Sequence, residues 1–235
     1  MVRFWVGVSG FSYASWKGVF YPKTTKPNEM LEAYATKLNS VEVNSSFYRM
    51  PTQTTTSKWF DSTPQNFRFS FKANRKITHF MKLKDAKAEF EIFVNGLKPV
   101  EAKLGCVLAQ LPPYMKQDYE TLETFLGEKP EWVPMALEFR HSSWFGDKLN
   151  QLLARYNAAL CIADTEDMKP VLERTANFTY VRLRRDSYSK GELKGWSKKL
   201  IKLAGDRGNC FVYFMHDETG DAANRAADFN TMLNL

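Results

Sequence analysis

Short apolar runs alternate with stretches of helical period along this chain. Eight runs read as strands: 3–8, 40–43, 67–71, 104–109, 135–139, 158–162, 179–183 and 211–215. Between them, apolar residues recur every three or four positions, the spacing that puts them on one helix face. The segment 28–39 places Leu31, Ala35 and Leu38 together behind Asn28, a residue type that caps helices. Further helices are expected over 52–61, 84–98, 118–126, 147–157, 192–204 and 220–233. The sixth interval departs from the rhythm: 166–176 holds Pro170 and little periodicity, so its helix should be short or absent. The runs 104–109 and 158–162 are apolar on both faces, as parallel strands covered by helices must be. An open sheet would satisfy those two runs as well. Eight units in 235 residues, with no low-complexity linker, instead predict one domain over 1–235, a TIM (β/α)8 barrel irregular around its sixth unit.

Composition narrows this picture. The net charge of +7, from 33 basic and 26 acidic side chains, permits steering of an anionic ligand. The basic residues are spread through the chain with no long tail, and a solvated surface accounts for most of them. Cys106, Cys161 and Cys210 each sit in an apolar run and form no CxxC, so buried free thiols are expected rather than a zinc knuckle or redox pair. No apolar run reaches 18 residues, so no membrane span is expected. The first residues read as a strand rather than a signal peptide, and a reducing, cytoplasmic setting is the expectation. Gly7-Val8-Ser9-Gly10 lacks the full spacing of a dinucleotide fingerprint.

In a barrel of this kind the active face lies at the C-terminal ends of the strands. Glu138-Phe139-Arg140-His141 closes the fifth strand, and alternation would point Glu138 and Arg140 to the same face. Glu42 and Asn44 end the second strand, Lys72 the third, Gln110 the fourth and Asp164 the sixth. Arg182 and Arg184 share one face of the seventh, and His216 follows the eighth. Glu42 and Glu138 are candidates for proton transfer, with His141 or His216 as partner; an internal salt-bridge network is the competing reading for both carboxylates. His79 is a weaker candidate, and each histidine has the alternative of capping a helix or packing beneath a loop. Lys72, Arg140, Arg182 and Arg184 argue for an anionic group, because a bound anion lets such cations coexist. Asn44, Gln110 and Asp164 would contribute polar contacts, and Tyr13, Trp16 and Tyr48 an aromatic wall. A divalent metal held by Glu42, Glu138, Asp164 and His216 is a weaker idea, since no tight ligand spacing supports it; no metal ligand is assigned and the cofactor is open. Aromatics interleaved with Lys and Arg, as in 69–76, keep nucleic acid in view as a partner.

These motifs also carry a resemblance. Gly7-Val8-Ser9-Gly10-Phe11-Ser12-Tyr13, Trp16-Lys17-Gly18-Val19-Phe20-Tyr21-Pro22 and 41–49 are followed in order by Thr63-Pro64, 67–72 and Ile77-Thr78-His79. Gln110-Leu111-Pro112-Pro113, 138–141, Ser143-Trp144, Tyr213-Phe214 and Gly220 complete the series. The chain resembles the DUF72 family of YecE-like proteins nearly end to end. The resemblance implies a TIM barrel similar to those of the endonuclease IV and xylose isomerase superfamily, many of whose members use divalent metals. It implies no particular reaction. Near strand eight the family pattern often reads Tyr-Phe-Asn-Asn, whereas this chain has Tyr213-Phe214-Met215-His216-Asp217, which changes the polar group offered there.

The first functional expectation is an enzyme, such as a hydrolase, lyase or isomerase, acting on a small anionic or phosphorylated substrate at the barrel mouth. A nucleic-acid-binding or nucleic-acid-processing protein is the second, and a non-catalytic ligand-binding barrel the third. The sequence identifies no protein partner.

Overall fold

The computed structural model describes residues 2–205 and 208–233. Eight parallel strands lie among them: β1 (Val2–Val8), β2 (Ser40–Val43), β3 (Arg68–Lys72), β4 (Leu104–Gln110), β5 (Met135–Glu138), β6 (Ala159–Asp164), β7 (Phe178–Leu183) and β8 (Gly208–Phe214). Their order, β1-β8-β7-β6-β5-β4-β3-β2, curls the sheet until β1 and β2 meet. The helices are α1 (Met30–Ala35), α2 (Ser45–Tyr48), α3 (Gln53–Asp61), α4 (Lys87–Asn95), α5 (Tyr119–Glu128), α6 (Asp147–Arg155), α7 (Lys190–Ala204) and α8 (Asp221–Leu233). Between β6 and β7, residues 165–177 form no helix, as the weak periodicity there predicts.

The seam between β1 and β2 is closed largely by side chains. The main-chain N–H of Val6 donates to Asn39 Oδ1 at 2.8 Å, and Asn39 Nδ2 donates back to the Phe4 carbonyl. Beside it, Val8 N–H donates to the Tyr34 hydroxyl, which donates on to the Ser40 carbonyl, each at 2.9 Å. A Cβ on Gly7 would stand 2.0 Å from the Ser40 oxygen, so only glycine lets the strands approach this closely. At the top of the seam, Gly10 N–H donates to the Glu42 carbonyl. The barrel is therefore nearly closed, and its first and second strands deliver Ser9 and Glu42 side by side.

Several helix boundaries move from their expected places, and in α1, α4 and α7 the local reason is plain. The first helix is confined to Met30–Ala35 behind a 3-10 turn at Pro27–Glu29, since the chain must then turn to bring Asn39 into the seam. Lys82, Leu83 and Asp85 adopt positive φ, which delays α4 to Lys87. A capping box between Ser189 and Glu192 starts α7 at Lys190 rather than 192. The three cysteines are free and buried. Among the described residues, no helix is long and apolar enough to cross a membrane.

Candidate functional site at the barrel mouth

Period-two alternation fills the barrel in layers. At the closed end, Trp5, Phe178 and Phe211 pack together, with Trp5 and Phe211 stacked at 6.5 Å. Above them the Tyr213 hydroxyl lies between those of Ser40 (2.6 Å) and Ser70 (2.8 Å). The next layer is charged and buried. Arg182 Nη2 donates to Glu42 Oε1 at 2.8 Å, and Nη1 donates to Glu138 Oε2 at 2.6 Å. Ser9 Oγ and Tyr180 Oη donate to the two Glu42 oxygens at 2.6 and 2.7 Å, and Gln110 Nε2 donates to Glu138 Oε1 at 2.7 Å. Burial pushes the Glu42 carboxyl up, but Arg182, Arg184 and the bonds from Ser9 and Tyr180 bring it down to about 2. Glu138 is likewise held below the usual carboxylate range: burial opposes ionisation, and Arg182 and Gln110 overcome it. Both carboxylates are thus ionised with every oxygen occupied. This geometry fits an internal salt-bridge network, and held ionised the two acids can accept protons rather than donate them near neutral pH.

The layer nearest solvent holds the cations left over. Arg184 Nη1 donates to Ser9 Oγ at 3.3 Å, so a chain of donors runs Arg184–Ser9–Glu42. Lys72, half-buried, places Nζ 4.2 Å from the centre of the Phe47 ring. Phe47 is held there by α2, whose Ser46 hydroxyl donates to the Lys72 carbonyl and whose Ser46 carbonyl accepts from Asn74. Among the described residues neither Lys72 nor Arg184 has a carboxylate within 4.0 Å. Three cations therefore face two carboxylates, and Arg182 Nε is buried without a partner. Burial, then Arg182, lowers the Lys72 amine to about 8.

Two histidines flank this layer. His79, in the π-helical turn Lys76–Phe80, gives Nδ1 to the Thr78 hydroxyl at 2.9 Å and sets its ring edge-on to Phe47. Its pKa is lowered by burial, Lys72 and Arg140. On the opposite side His216 stacks on Tyr13 at 5.0 Å, and burial followed by Arg184 lowers its pKa. Both are neutral imidazoles at pH 7.

Several expected site residues lie elsewhere or do something else. Arg140 does not meet Glu138: β5 ends at Glu138, alternation stops there, and Arg140 turns out to solvent. The cation of Glu138 is Arg182. Trp16 is fully buried and donates its indole N–H to the Asp217 carbonyl, so it supports the first loop rather than walling the mouth. Asp164 falls on the outward face of β6, where it accepts from Arg185 and from Trp196 of α7. Together with His216 on its Tyr13 stack, this scatters the four carboxylate and imidazole groups considered for a metal, and the described residues hold no group of three or more His, Cys, Asp or Glu placed to bind one. His141 caps the 3-10 turn Ser142–Trp144 through Nδ1, the packing alternative. Tyr48 is exposed at the rim. Asn44 lines a cleft beside the mouth with Phe11, Tyr13 and Trp59, its Oδ1 buried and unpartnered. Sequence reasoning left Tyr180 and Tyr213 out, although Tyr180, Arg182 and Arg184 share one alternating face. No sequence signal pointed to the partnering of Lys72 by Phe47.

A TIM barrel with an ionised interior layer and unpaired cations at its C-terminal mouth is the class that fold and site define. The chain belongs to the DUF72 family, whose model, described as a protein of unknown function, matches residues 5–235. It is 28% identical over 254 residues to the UPF0759 protein YunF of Bacillus subtilis, covering 92% of this chain and 90% of that protein. It is 29% identical over 116 residues to the UPF0759 protein YecE of Escherichia coli K12, covering 49% of this chain and 43% of YecE. A DUF72 family protein from Thermotoga maritima superposes with a TM-score of 0.89 at 28% identity, over 99% of this chain and all (100%) of that one. One from Enterococcus faecalis superposes with a TM-score of 0.81 at 23% identity, covering 100% of this chain and 96% of that one.

Proposed function

We propose that the protein is an enzyme that binds the anionic group of a small phosphorylated or carboxylated substrate between Lys72 and Arg184. The observation that carries this reading is the pair of half-buried cations with no carboxylate partner, set on a rigid Glu42–Arg182–Glu138 base. Glu42 and Glu138 offset part of this positive charge, but three cations against two carboxylates leave an excess of one, which a seated anion neutralises. Arg184 offers a fork for phosphate or carboxylate, and Lys72 a point charge. Because Glu42 and Glu138 are fully engaged, we assign proton movement at this mouth to Lys72, whose amine is lowered to about 8, and to His79 and His216, whose imidazoles are lowered by burial and neighbouring cations.

A second reading is favoured by the rim. Tyr48, Phe80 and Tyr114 are exposed, Arg75 lies over both Tyr48 and Phe80, and Lys82 lies over Tyr114. Rings and cations in alternation suit stacked bases and phosphates of single-stranded nucleic acid. One set of calorimetric titrations separates the two. Small-anion binding predicts that inorganic phosphate binds, that Arg184→Gln weakens it at least about tenfold, the loss of a charge-assisted contact, and that an oligonucleotide adds little. Nucleic-acid binding predicts oligonucleotide affinity falling with salt by a slope of several phosphates, sensitive to Tyr48→Ala with Phe80→Ala. Phosphate affinity unchanged by Arg184→Gln would overturn the first reading.

A further inference from the structure

Lys72 differs from Lys103, the buried lysine that precedes β4. Lys103 Nζ donates to the Phe60 and Thr63 carbonyls and to the Thr63 hydroxyl, at 2.6, 2.7 and 3.2 Å. Among the described residues Lys72 Nζ donates no hydrogen bond and has no ion pair; it lies over the face of the Phe47 ring. It stands above Ser70 on the inner face of β3, where burial, Arg182 and Arg184 disfavour its charge more than Glu42 and Glu138 favour it. Amines are activated as nucleophiles in such surroundings, on an apolar face beside other cations.

From this geometry we infer that Lys72 is a nucleophilic amine that forms an imine with a carbonyl group on the anionic substrate. The inference rests on the anion-binding reading for its substrate class, an aldehyde or ketone that also carries phosphate or carboxylate. The neutral amine adds to the carbonyl carbon, forming the C–N bond as the π pair moves to oxygen. That oxygen takes a proton, giving a carbinolamine. Its hydroxyl then leaves as water, and the nitrogen lone pair forms the second C–N bond. Overall an ammonium and a carbonyl give a protonated imine and one water, with nothing oxidised or reduced. His79, neutral and set against the same Phe47 ring, is the neighbouring group suited to shuttle the protons.

The test uses pyridoxal 5′-phosphate, an aldehyde bearing a phosphate, with borohydride to reduce any imine to a stable amine and peptide mapping to locate it. At substoichiometric probe, Lys72 should be labelled at least about tenfold more than exposed lysines such as Lys26 or Lys98, each of which keeps a surface carboxylate partner. The rate should rise with pH and level off above about 8. Lys72→Arg should abolish the label, since a guanidinium forms no imine under these conditions. Label spread evenly over the surface lysines, or phosphate binding with no Lys72 adduct, overturns the amine proposal and leaves the anion site standing. Equal labelling of Lys72 by pyridoxal without its phosphate, with no protection by inorganic phosphate, supports the amine and removes the anion site.

Discussion

Arg182→Met is expected to cost about 3–5 kcal/mol of folding free energy, the penalty for leaving a buried charge without its partner. The guanidinium serves two carboxylates at once, and both are buried within the barrel. Without it, Glu42 and Glu138 would face each other in a low-dielectric interior and each would hold a proton to higher pH. The variant should therefore be most stable in mild acid and lose stability as pH rises, the reverse of the parent protein. Urea unfolding at pH 5 and pH 8 reads this directly. The compensated variant Glu42→Gln/Arg182→Met/Glu138→Gln should recover most of the loss, because the three groups leave together. If Arg182→Met alone unfolds at the parent's urea midpoint at both pH values, the charged layer does not anchor the fold.

Acid should weaken the parent protein through the same layer. The Glu42 carboxyl is held at about 2, below its ordinary value of 4.5, and Glu138 is held low as well. A folded-state pKa below the unfolded one contributes stability that is complete above the unfolded value and disappears as pH falls through the folded one. For Glu42 that contribution is about 3 kcal/mol, lost between about pH 4.5 and about pH 2. Glu42→Gln should flatten that part of the stability curve while lowering stability at pH 7, because a neutral amide leaves half of the Arg182 fork without its anion. A parent stability that stays level from pH 5 to pH 2 would contradict the ionised state of Glu42.

The strands were legible because burial on both faces leaves unbroken apolar runs, and all eight register with the structure. The missing sixth helix was legible for the complementary reason, a stretch with Pro170 and no period. The layer of Glu42, Arg182 and Glu138 was half legible. Alternation identified the inward positions, but partners across a barrel depend on strand order and tilt, which a sequence does not print. Glu138 was therefore set beside its near neighbour Arg140 rather than Arg182, 44 positions away. Trp16 and Asp164 illustrate a second limit. Trp16 lies in a 3-10 turn eight residues past β1, where strand alternation no longer applies, and Asp164, still paired with Leu183 in the β6–β7 ladder, falls on the outward face with Leu160 and Ile162. The β1–β2 seam was not legible at all, since Tyr34 and Asn39 replace strand pairing with side-chain bonds that have no periodic signature.

We propose that an oxyanion occupies the mouth between Lys72 and Arg184. A crystal soaked in tungstate, a heavy-atom mimic of phosphate, tests it most directly. An anomalous peak is expected within hydrogen-bonding distance of both Lys72 Nζ and the Arg184 guanidinium, and should be lost in Arg184→Gln. Tungstate bound at other basic positions, with none touching either Lys72 or Arg184, would contradict it.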